Sequence, residues 1–199
     1  MKKNFFVVIF VFLSLLFTST SFAYSSDPKL FISEVVNEAK KILVATNSKE
    51  FKEKELSAIA LRAADIKGIG FYTLGKYRKK LTEEELIEYS KLFEKYFLKS
   101  FTSRLTDYSD PKINVLSTEV INPKYTIVKS LLLATDKKPE VTIEWRVYTK
   151  NPDKPLIRDL IIEGLSLART QKEEFASVIE ANDGDVTKLF ATLKDFINK

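Results

Sequence analysis

Residues 156–175 read L-I-R-D-L-I-I-E-G-L-S-L-A-R-T-Q-K-E-E-F, and this junction decides the fold. It predicts a β-strand that ends at Gly164 and feeds a helix opening near Thr170, where Thr170-x-x-Glu173 has the spacing of a capping box. Upstream, the pattern alternates by twos from Ile113 onward. Three further strands are predicted: Ile113 to Ile121, Tyr125 to Ala134, and Val141 to Lys150. Asn122-Pro123, Asp136-Lys137-Lys138-Pro139 and Asn151-Pro152-Asp153-Lys154-Pro155 supply the turns. Such short connections imply an antiparallel meander. In the third strand Val141, Ile143, Trp145 and Val147 share one face, and Thr142, Glu144, Arg146 and Tyr148 the other. One face is therefore covered and the other largely solvated.

Helical spacing flanks the strands on both sides. Asp27-Pro28 is an N-cap followed by proline at the first helical position. Leu30, Phe31, Val35, Ala39, Ile42 and Leu43 line one face of that helix. A second helix is predicted over Phe51 to Ala64, with Leu56, Ile59, Ala60 and Ala63 inward. Asp65 caps an irregular segment holding Gly68, Gly70 and Gly75, glycines that permit close backbone approach to another element or a ligand. Thr82-x-x-Glu85 opens the longest helix, which runs to about Leu105. Its stripe is Leu86, Tyr89, Phe93, Tyr96, Phe97 and Phe101. A helix ending near Asn182-Asp183-Gly184 and another from Asp185 close the chain. Helices before and after a four-stranded meander must pack on its apolar face, so the class is α+β.

The first 23 residues read as a signal peptide. Lys2 and Lys3 precede an apolar run from Phe5 to Phe17, and Ser21-Phe22-Ala23 offers a cleavage site. The run covers 13 positions, whereas a membrane span needs about 20. Residues 24–199 are then one domain that leaves the cytoplasm. Without Lys2 and Lys3 the formal charge falls from +5 to +3, and the charges alternate in sign along the helices, so nucleic acid is not an expected partner.

The chain contains neither histidine nor cysteine. That removes Ser-His and Cys-His nucleophiles, His-ligated metals and disulfides. Gly164-Leu165-Ser166-Leu167-Ala168 is similar in outline to a nucleophile elbow, but no histidine exists to activate Ser166. Asp159 and Glu163 lie four apart on one strand and could mimic a carboxylate pair. Ion pairing with Arg146, Arg158 or Arg169 is the better account. Glu83, Glu84 and Glu85 sit in a first helical turn, where the dipole favours them. No catalytic residue, metal or cofactor is expected. Lys76, Arg78, Lys79 and Lys80 form a basic cluster, read either as a solvated helix end or as a site for lipid phosphate or an acidic partner surface.

Asp159, Glu163-Gly164, Ser166-Leu167, Arg169 and Phe175 together resemble the C-terminal signature of the MlaC family, the periplasmic phospholipid-binding proteins once called toluene-tolerance proteins. Leu74-Gly75-Lys76-Tyr77-Arg78, with Phe93, Tyr96 and Tyr108 behind it, is similar to that family's central helical region. Two positions depart from it: Thr170-Gln171-Lys172 stands where many relatives show Asn-Tyr-Arg, and Arg78 stands where a tryptophan is common. The resemblance implies helices on one face of a curved sheet of about four strands, with an apolar cavity between them for phospholipid tails. It also implies a carrier that shuttles lipid between an inner-membrane ABC transporter complex carrying an MCE-domain protein and an outer-membrane lipoprotein. A carrier of a hopanoid or quinone, or an envelope interaction protein with a solid core, are the rival readings.

Periodicity combined with the resemblance nominates Leu74, Tyr77, Phe93, Phe97 and Phe101 on the helices as pocket residues. On the sheet it nominates Val141, Ile143, Trp145 and Val147. The second strand admits two inward faces, Ile127/Leu131/Leu133 or Val128/Leu132/Ala134. Tyr125 continues the first, so Ile127, Leu131 and Leu133 complete the set.

Overall fold

The computed structural model describes residues 23–136 and 138–199. The signal-peptide reading, apart from Ala23, and Lys137 in the predicted turn lie outside these residues.

Local capping sets the helix starts. Asp27 Oδ1 accepts from the Leu30 N–H at 2.8 Å, and α1 runs Pro28–Val44. Ser48 caps α2, Lys49–Ala63, which begins two residues before the expected start because that hydroxyl accepts from Phe51 N. Asp65 caps α3, Ile66–Thr73, which runs unbroken through Gly68 and Gly70. A 3-10 helix over Gly75–Lys80 follows, entered with Gly75 at φ 53°. The capping box at Thr82 and Glu85 opens α4, Glu83–Leu105.

The sheet is an antiparallel meander in chain order: β1 Ile113–Asn122, β2 Tyr125–Leu132, β3 Val141–Tyr148, β4 Leu156–Ile162 and β5 Leu165–Ser166. Register shifts in the β1–β2 pairing at Val115/Ser117 and Val120/Asn122, and in the β3–β4 pairing at Arg146/Val147, bend the strands, as bulges do.

Two expectations need correction. The junction at residues 156–175 is a hairpin followed by a helix. Glu163 (φ 49°) and Gly164 (φ 81°) form a left-handed two-residue turn, and the short β5 returns along β4. Helix α5 then spans Leu167–Glu180, with Ser166 Oγ accepting from the Arg169 N–H at 3.1 Å. Thr170-x-x-Glu173 therefore sits inside the helix and does not start it. The second correction concerns β2, whose inward face carries Val128, Ser130 and Leu132, directly opposite Trp145, Ile143 and Val141. Tyr125 pairs with Tyr148, which lies on the face opposite Trp145, so it marks the outer side. Ile127 and Leu131 stand opposite Arg146 and Thr142, and Leu133 falls past the strand's end.

Helix α6, Val186–Asn198, completes the chain. Apolar side chains gather in two cores. One joins α1 and α2 to the inner sheet face through Phe31, Ile32, Leu56, Val128 and Val147. The other joins α3, α4, α5 and α6 through Ile69, Tyr89, Phe93, Phe175 and Leu189. The functional geometry lies where the two cores meet.

Candidate functional site

The two cores do not merge. Between them lies a cavity of about 410 Å³. Its sheet side is Leu132, Ile143, Trp145, Leu160 and Ile162. Helix α4 lays Phe93, Phe97 and Phe101 along the opposite wall, with Phe97 and Phe101 stacked at 5.7 Å between ring centroids. Helices α1 and α2 contribute Ala39, Ala60 and Ala63, the residue just past α2 contributes Ala64, and α5 contributes Ala168. The space exists because these facing positions hold alanine, whereas a filled core at native packing density carries larger side chains there.

Polar atoms in the wall are already satisfied. Trp145 Nε1 donates to Ser130 Oγ at 2.8 Å, and that hydroxyl donates to the Ile143 carbonyl at 3.1 Å. The Tyr96 hydroxyl donates to Gln171 Oε1 at 2.7 Å, and burial raises the Tyr96 phenol above its ordinary pKa. Behind Phe93, Tyr89 and Thr73 share a 2.8 Å hydrogen bond, and burial pushes the Tyr89 phenol far up. Among the described residues no buried side-chain nitrogen or oxygen lacks a partner. With those atoms paired, the wall presents a mainly apolar surface to the cavity. Polar or charged side chains also line the cavity: Lys40, Ser100, Arg104, Tyr108, Arg158, Asp159 and Gln171, of which Arg104 is exposed. Lys40 of α1 reaches Asp110, beyond the end of α4, at 3.4 Å.

Of the residues nominated from sequence, Phe93, Phe97, Phe101, Ile143 and Trp145 line this cavity. The others do not. Leu74 and Tyr77 are buried in the second core, and the Tyr77 hydroxyl is held by Glu180 at 3.1 Å. Val147 is fully buried in the first core, and Val141 packs against that core from its edge. Ile127, Leu131 and Leu133 were placed on the inner face by the wrong phase of β2. Leu132 belongs to the alternative face of β2 that the sequence offered, and Ala39, Ala60, Ala63 and Leu160 line the pocket without having been nominated from sequence. The three alanines lie at inward helical positions, but their small size carries the information only once the facing elements are known.

The carboxylate and serine of the signature are structural. Asp159 is buried, and it accepts from Ser166 Oγ at 2.6 Å, from the Ala168 N–H at 3.0 Å and from Arg146 at 3.3 Å. It therefore ties β4 to the first turn of α5. Glu163 is exposed in the turn, and no cluster of three acidic, histidine or cysteine side chains among the described residues is placed to hold a metal. No described helix is long and apolar enough to cross a membrane.

A family model for the MlaC protein matches residues 33–195. The chain belongs to the MlaC family. Its fold is similar to that of a phospholipid-binding protein from Ralstonia solanacearum, solved in complex with a phospholipid. That likeness has a TM-score of 0.72 at 17% identity and covers 87% of this chain and 97% of the other. Comparison with curated proteins gives no match. The MlaC-family fold thus has, in this chain, an apolar cavity lodged between sheet and helices.

Proposed function

We propose that this MlaC-family protein is a periplasmic phospholipid carrier whose 24–199 domain holds the acyl tails in the cavity and leaves the headgroup near solvent. The observation that carries the reading is the apolar cavity itself, walled by Phe93, Phe97, Phe101, Ile143 and Trp145 with every buried side-chain polar atom among the described residues already paired. The Ralstonia solanacearum protein of the same fold, captured with a phospholipid, supports it.

Energetics explain what such a carrier contributes. Two acyl chains expose on the order of 30 methylenes, each costing about 0.8 kcal/mol in water, so unaided desorption is opposed by on the order of 20 kcal/mol. A cavity as apolar as the bilayer makes the transfer nearly neutral. The protein then lowers a barrier and needs no reacting side chain, consistent with a chain that lacks histidine and cysteine. We place its route between an inner-membrane MCE-domain/ABC transporter complex and an outer-membrane lipoprotein, after removal of residues 1–23 as a signal peptide.

The test is mass spectrometry of organic extracts from protein purified out of its host envelope. One diacyl glycerophospholipid per protein is expected. A hopanoid or quinone would change the cargo, and a lipid-free extract would overturn the reading.

A further inference from the structure

A second cleft, of about 430 Å³, lies outside the cavity and is lined by Phe71, Tyr72, Gly75, Arg78, Lys79 and Lys172. Its chemistry is cationic and aromatic together. The Arg78 guanidinium lies 4.2 Å from the Phe71 ring centroid, Lys172 Nζ lies 5.3 Å from that of Tyr72, and Lys67 Nζ lies 5.6 Å from Phe71. Among the described residues none of Lys67, Arg78, Lys79 or Lys172 forms an ion pair, whereas the neighbouring Lys76 pairs with Glu180, so the cleft itself carries three cations that no carboxylate neutralises directly. Gly75 seats one of them: a Cβ there would come 2.8 Å from Lys172 Cε, so the missing side chain gives the lysine its path. Tyr72 remains 46% exposed beside these cations.

We propose that this cleft docks the protein on bilayers rich in anionic phospholipid, the cations meeting headgroup phosphates and Tyr72 entering the interfacial layer. Clustered Lys and Arg are attracted to an anionic leaflet, and an exposed tyrosine among them has the amphipathic character favoured at headgroup depth. An acidic protein surface would meet the same charges, and the vesicle assay separates the two occupants. The location fits: α3 supplies Ile69 to the cavity and Tyr72 to the cleft, and α5 supplies Gln171 to the cavity and Lys172 to the cleft. Docking would hold the cavity wall against the membrane. The inference goes beyond the carrier reading and does not need the cavity to be filled.

Co-sedimentation of the full protein with phosphatidylcholine vesicles, with and without phosphatidylglycerol, tests it. Binding to the anionic vesicles at low salt is expected, weakening steeply as salt rises. R78E/K79E/K172E lowers the partition coefficient on the order of 100-fold. Phospholipid extracted per protein stays unchanged, because none of the three lines the cavity. Tyr72→Ser weakens binding while leaving its salt dependence intact. Equal binding to neutral vesicles, undiminished binding by the triple variant, or no binding of the wild type to anionic vesicles overturns the proposal; the last result turns the patch over to an acidic protein. The wild-type salt titration decides even where the triple variant fails to fold. Vesicle binding by protein that yields no extracted lipid would overturn the carrier reading alone.

Discussion

Asp159 Oδ2 accepts a 2.6 Å hydrogen bond from Ser166 Oγ, and through that contact the sheet positions the helix that closes one side of the cavity. The same carboxylate takes the Ala168 N–H, an orphan donor of the first turn of α5. Asp159→Ala leaves these donors unpaired in a buried place and is expected to lower unfolding free energy by about 2 kcal/mol. Asp159→Asn keeps an acceptor and loses less. Urea denaturation monitored by circular dichroism measures both; equal, negligible losses would contradict the assigned role.

Gly70 stands against Phe93 so closely that a Cβ would come 2.7 Å from the ring. Phe93 is packed by Tyr89, Tyr96, Phe97 and Phe175, and its free side is the cavity it lines, so a displaced ring takes up cavity space. Overpacking costs about 1–3 kcal/mol and outweighs the gain of about 1 kcal/mol in helix propensity. Gly70→Ala should therefore be less stable and carry less extractable lipid. A variant of raised stability with full lipid content would refute the packing argument.

Ala60 is buried on α2 and lines the cavity. In a filled core Ala60→Phe would cost about 1–3 kcal/mol of strain. Here the ring has vacant apolar space to enter. The melting temperature of the lipid-extracted variant is expected to match or exceed that of extracted wild type, while lipid content falls at least several-fold. Destabilisation with unchanged lipid content would show that the space is not available.

Tyr24 anchors the segment before α1 by donating to Glu38, and Arg62 joins the pair. Burial, reinforced by the bond to Glu38, raises the phenol from 10.0 to about 12. The protonated form is thus favoured in the folded state. Its contribution is complete below about pH 10 and is lost as pH rises through about 12. Tyr24→Phe should flatten that part of the alkaline stability profile relative to wild type, as measured by denaturation from about pH 9 upward. Profiles that fall in parallel would contradict this.

The starts of α1 and α4 were legible because capping is local: Asp27-Pro28 and the Thr82–Glu85 box each declare a first turn within four residues. The inward face of β3 was legible because Val141, Ile143, Trp145 and Val147 alternate with polar residues. Strand β2 has apolar residues on both phases, Ile127 with Leu131 and Val128 with Leu132, so its inward side is decided only by pairing with Trp145. The Glu163-Gly164 turn was hidden by a helix signal nearby, at Thr170 and Glu173. The hollow was illegible for a different reason. Ala60 and Ala63 are common core residues at helical spacing, and whether they bound a cavity depends on how far Phe97 stands from Trp145, a separation the sequence does not encode locally.

On the proposed carrier reading, acyl tails occupy the space beside Trp145, the only tryptophan in the sequence. Loading the protein with a phospholipid brominated midway along its acyl chains, and reading tryptophan fluorescence against the unbrominated lipid, tests it directly. Strong quenching of Trp145 at one bound lipid per protein is predicted, and Ala60→Phe should abolish it. Undiminished emission with the brominated lipid demonstrably bound would contradict the account.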